Sequence, residues 1–91
     1  MRLDKFLKVS RLIKRRTLAK EVADQGRIAI NGVTAKASST VKIGDEVTIQ
    51  FGNKQVTVKI IDLKETTKKE EATTLYEVIK EERLSMENGQ A

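Results

Sequence analysis

The sequence of 91 residues contains no cysteine, no histidine, no tryptophan and no proline. Without thiol or imidazole there is no disulfide, no thiolate nucleophile, no histidine base and no zinc site of the usual kind, and a hydrolytic triad built on histidine is excluded. Aromatic residues are scarce: Phe6, Phe51 and Tyr76 are the whole set, too few for the ladder on which successive single-stranded bases stack. The longest uninterrupted apolar run, Ile28-Ala29-Ile30, falls far short of the roughly 20 residues that cross a bilayer, and the N-terminal region has no apolar signal-peptide core. The chain is expected to be soluble and cytoplasmic, without a membrane partner.

Charge is abundant and unevenly placed. Residues 1–20 carry eight basic side chains (Arg2, Lys5, Lys8, Arg11, Lys14, Arg15, Arg16 and Lys20) against the single acid Asp4, whereas residues 62–91 carry five basic and eight acidic ones. The chain is a basic head with an acidic tail and a net charge of +5. Cations concentrated on one element neutralise phosphates and release counterions, the sequence-independent source of nucleic-acid affinity. A polyanionic partner is the reading this asymmetry favours over a merely solvated face.

Helical spacing organises the head. Leu3, Phe6, Leu7 and Ser10 form one narrow stripe, with Lys5 and Lys8 on the opposite face and Arg2 and Arg11 flanking it. A second helix is expected from Thr17 as N-cap to Gln25, with Leu18, Ala19, Val22 and Ala23 facing inward and Gly26 as the stop. Arg15 and Arg16 lie just before it, where the helix dipole disfavours cations. That placement makes sense if an external phosphate sits between the free N–H groups and the guanidinium groups.

After Gly26 the period changes to two. Ile28 and Ile30, the turn Asn31-Gly32, then Val33, Ala35 and Ala37 read as a hairpin; Val47, Ile49 and Phe51, the turn Gly52-Asn53, then Val56, Val58 and Ile60 read as another. The tail resumes helical spacing at Ala72, Leu75, Tyr76 and Ile79 after a capping box formed by Thr67 and Glu70, so a third helix over 68–83 is expected to dock this stripe on the sheet. Residues from Ser85 onward are expected to be disordered. Neither a phosphate-binding P-loop nor a nucleophile elbow is present, and no cofactor or metal is expected. Shape-and-phosphate recognition of folded RNA by basic helices fits this composition best.

Four segments together, Arg2-Leu3-Asp4-Lys5-Phe6-Leu7, Arg16-Thr17-Leu18-Ala19, Gly26-Arg27-Ile28-Ala29-Ile30-Asn31-Gly32 and Gly44-Asp45, resemble the S-four RNA-binding domain over about residues 1–51. The resemblance implies an α+β, αL-type fold: two N-terminal helices packed on a small, mostly antiparallel sheet, here with a C-terminal helix added. It divides the chain into an RNA-binding domain with its following strands (1–63), an acidic C-terminal helix (64–84) and a disordered tail (85–91). The opening Arg-Leu-Asp-Lys is most similar to the stand-alone heat-shock protein fifteen and RqcP branch, and the short length and acidic tail lean toward the RqcP side.

That branch implies a non-enzymatic, monomeric factor that binds rRNA of the large ribosomal subunit carrying stalled peptidyl-tRNA and steadies the tRNA beside a tail-adding factor of the RqcH type during alanine tailing. Arg2, Lys5 and Arg16 match its basic motif and are expected to contact RNA, with Lys8, Arg11, Arg15 and Lys20 extending the surface. Asp4 either orients a neighbouring arginine or favours the first helical turn. A ribosome assembly or general translation factor, or an RNA-binding accessory of a modifying enzyme, would share these features.

Overall fold

The computed structural model describes residues 1–64 and 68–83. Helices α1 (Leu3–Val9) and α2 (Arg16–Asp24) are followed by strands β1 (Ile28–Ile30), β2 (Val33–Thr34), β3 (Glu46–Phe51) and β4 (Lys54–Ile60), a 3-10 helix (Lys69–Leu75) and strand β5 (Tyr76–Arg83). The five strands form one antiparallel sheet in the order β2-β1-β3-β4-β5.

Period-two patterning decides what the sheet buries. Ile28, Val47, Ile49, Val56, Val58 and Ile60 join the core, while Thr48 and Thr57 pair their hydroxyls at 3.0 Å on the other face. Against the apolar face lie Leu3, Phe6 and Leu7 of α1, all fully buried, and Ala19 and Ala23 of α2. Alanine at these two positions lets the α2 backbone come close to the core. The helix ends in a Schellman arrangement: Gly26 N–H donates to the Ala23 carbonyl and Arg27 N–H to the Val22 carbonyl, with Gly26 at φ +77°. Gly26 is the stop the sequence calls for.

Asn31 and Gly32 both take positive φ, +52° and +84°, as a two-residue type I′ hairpin requires. The strand expected after this turn is shorter than the pattern suggested, because pairing ends at Thr34. Ala35 and Ala37 are buried in a segment that runs past the start of α1 instead, where Asp4 N–H donates to the Ala37 carbonyl and Leu3 N–H to the Ser39 carbonyl. Two orphan donors of α1 are thereby satisfied by backbone rather than by a capping side chain.

The expected helix over 68–83 is corrected. Only Lys69–Leu75 is helical, as a 3-10 stretch, and Tyr76–Arg83 pairs with β4 through Ile60↔Tyr76, Val58↔Val78 and Val56↔Glu81, with a bulge at Thr57/Val58. The apolar stripe divides accordingly: Ala72 and Leu75 are buried, Tyr76 is half-buried and Ile79 is exposed. The physical reason is the unpaired edge that β4 would otherwise present, which a segment beginning Tyr-Glu-Val-Ile satisfies. Glu71 accepts from Lys68 N–H at 3.2 Å. Thr67 of the expected capping box, and the 85–91 tail, lie outside the described residues. Nuclear Overhauser contacts should therefore join Val58 to Val78 and Ile60 to Tyr76, with extended-backbone shifts over 76–83; helical shifts there would contradict this register.

Candidate nucleic-acid interface

The N-terminal backbone is pinned before the first helix begins. Arg2 forms an isolated antiparallel bridge with Thr40, and Val41 N–H donates to the Met1 carbonyl at 2.9 Å. Arg2 is thus held in extended conformation at the N-cap of α1, and Asp4 follows in the first helical turn, where the macrodipole favours a carboxylate. Arg16 opens α2, whose position is set by Ala19 and Ala23 in the core.

These three side chains meet. Arg2 Nε lies 3.3 Å from Asp4 Oδ1 and its Nη2 lies 3.4 Å from Oδ2; Arg16 Nε lies 3.3 Å from Oδ2 and its Nη2 lies 3.4 Å from Oδ1. Asp4 Oδ1 also accepts the Lys5 N–H at 2.8 Å. The arginine contacts are long for charge-assisted hydrogen bonds, so one carboxylate is shared between two guanidinium groups rather than locked in a tight fork with either. The Asp4 side chain is only 4% exposed, against 52% for Arg2 and 47% for Arg16. Each guanidinium turns two N–H-bearing nitrogens inward and keeps the rest of its donors available to an outside anion. The triad carries a net charge of +1.

Asp4 therefore contacts both arginines and also occupies the first turn of α1, so its position fits both roles the sequence left open for it. Its position also answers the charge conflict at the start of α2. Part of the anion that Arg16 needs is internal, and Arg15, the N-cap, makes no side-chain capping hydrogen bond. The expected Thr17 N-cap is corrected, since helix geometry begins at Arg16, from which the side chain reaches Asp4 in the first turn of α1.

The other candidates occupy distinct stations. Lys8, Arg11, Arg15 and Lys20 are exposed and Lys5 is half-buried. Lys20 lies one turn beyond Arg16 on the same flank of α2, and Lys5 and Lys8 share the outer face of α1. Arg11 has φ +61°, the left-handed region where glycine is preferred, at the position just after the α1 C-cap Ser10. Sequence reasoning placed Leu18 inside; it is 48% exposed, on the flank of α2 opposite Arg16. Its i, i+4 spacing with Val22 marked a helix face without saying what covers that face.

Fold and site define a small α+β module that presents a cationic helix pair, and the S4 domain family matches residues 1–47. The RQC P-site tRNA stabilizing factor of Bacillus subtilis (strain 168) is 74% identical over 84 residues, covering 92% of this chain and 98% of the relative. The factor of that name in Halalkalibacterium halodurans is 71% identical over 85 residues, covering 93% and 97%. Among solved structures, that of trimeric Vibrio cholerae Heat Shock Protein 15 aligns with a TM-score of 0.80 at 34% identity, covering 86% of this chain and 80% of that one. The chain belongs to the S4-domain family and, within it, to the group of RQC P-site tRNA stabilizing factors.

Two outcomes are expected from this geometry. Asp4→Asn should lower stability by about 1–2 kcal/mol, at the low end for a charged cluster because both arginines are half in solvent. Adding Arg2→Ala should recover part of that loss by separating like charges, and a urea-unfolding cycle showing strict additivity would contradict the shared carboxylate. Arg11→Gly should raise stability by about 0.5–1 kcal/mol by relieving the left-handed backbone; a loss of stability would show that the arginine side chain holds the turn.

Proposed function

We propose that the chain is a non-enzymatic, cytoplasmic RNA-binding factor that docks on the large ribosomal subunit carrying stalled peptidyl-tRNA. It steadies that tRNA while an RqcH-type factor adds alanine to the stalled chain. The observation that carries the reading is the Arg2–Asp4–Arg16 cluster, in which one buried carboxylate contacts two guanidinium groups that remain half in solvent. The names of relatives at 74% and 71% identity over nearly the whole chain support the biological setting. Lys5, Lys8, Arg11, Arg15 and Lys20 extend the contact along both helices, toward rRNA and tRNA phosphates.

The mechanism is positioning. Guanidinium groups oriented before binding lose less conformational entropy when they meet phosphates than free side chains do, so a domain with a small core can hold an RNA fold firmly. No helix among the described residues is long and apolar enough to cross a membrane. We read the chain as a monomer: the edge strand β5 carries Glu77, Lys80, Glu81, Glu82 and Arg83, the kind of charged edge that resists strand-to-strand association.

Tagged protein recovered from cells at low salt should bring down large subunits bearing peptidyl-tRNA, without small subunits. Vacant or immature particles would indicate an assembly factor, and absence of ribosomal RNA would overturn the reading. Affinity for the purified subunit should fall by roughly 10³ or more between 50 and 200 mM salt if six or more phosphates are engaged; a flat response would remove the phosphate contacts.

A further inference from the structure

On the flank of α2 away from Asp4 lies an open groove of about 390 Å³. Leu12 and Val22 form its sides, Leu18 and Phe51 its most exposed walls at 48% and 36%, and Lys14 and Arg15 its rim. Exposed apolar surface of this kind, rimmed by charge, marks a binding site more often than chance. The surface is more than a bare hydrophobic face, because the two charged residues that line it are both cationic and it adjoins the interface proposed above. Arg15 precedes Arg16 directly, so the groove and the arginine cluster lie on the two flanks of one helix.

Charge and exposure select among occupants. The charged residues that line the groove, Lys14 and Arg15, are both cationic, and its most exposed walls are an aromatic ring and a branched aliphatic side chain, Phe51 and Leu18. An unstacked nucleobase combines an apolar, π-bearing face with flanking phosphates, and it would meet Phe51 and Leu18 below and Lys14 and Arg15 at the rim. Resting on the RNA-binding reading, we propose that this groove receives one unpaired base of the large-subunit rRNA, with its adjoining phosphates held by Lys14 and Arg15. The base would be read by stacking rather than by its hydrogen-bonding edge, so the site recognises an extruded nucleotide more than its identity.

Purified large subunits carrying peptidyl-tRNA are the probe. A photoreactive benzoylphenylalanine replacing Phe51, and separately Leu18, should crosslink to one unpaired rRNA nucleotide, mapped by a reverse-transcription stop. Phe51→Ala should weaken subunit binding about 5- to 20-fold, while Phe51→Tyr, which keeps the ring, should bind as the parent does. Crosslinks to tRNA, to a ribosomal protein or to paired nucleotides, or none from a variant that remains bound, would overturn the base site. Failure of the unmodified chain to bind the subunit would overturn the RNA reading beneath it as well.

Discussion

A carboxylate taken out of water must be compensated where it sits, and in this chain two arginines do so: one is two residues from Asp4 and the other twelve residues away. An unpaired charge at that depth would cost several kcal/mol. The compensation therefore ties three pieces of backbone together: the extended residue before α1, the first turn of α1 and the first turn of α2. The side chains that neutralise Asp4 are also half in solvent, and they are the ones proposed to meet RNA.

The remainder of the fold positions the elements that meet at that corner. Backbone hydrogen bonds from the 37–41 segment fix the start of α1, and alanine at positions 19 and 23 seats α2 close against the core. The buried face of the sheet, filled by branched aliphatic residues, gives both helices a common floor. Arg11, one of the residues proposed to meet RNA, sits in the left-handed conformation that backbone energetics disfavours.

Much of this was legible in the residues. Leu3, Phe6 and Leu7 announce the buried stripe of α1, Gly26 the end of α2 and Asn31-Gly32 the hairpin, because each signal is local and its physical cause lies within a few residues. What escaped depended on distant partners. Tyr76–Arg83 reads as a helix because its edge position leaves most side chains in solvent, so no alternating burial is imprinted on it, and its state is set by the open edge of β4. Leu18 has helical spacing yet lies beside an open groove. Asp4 stood out by being the only acid in a basic segment, but its partner Arg16 could be named only once α1 and α2 were seen to pack.

The central claim is that the carboxylate organises the arginines for binding, and binding of Asp4→Asn to the large ribosomal subunit tests it with opposite signs. Long-range electrostatics alone would make this variant bind more tightly, since it removes one negative charge beside a polyanion. Loss of the orienting carboxylate should instead weaken binding, by about tenfold if one charge-assisted contact is lost. Weaker binding by a folded Asp4→Asn protein is the result the account requires. Unchanged or tighter binding would show that the arginines need no internal anchor, and that Asp4 serves the fold alone.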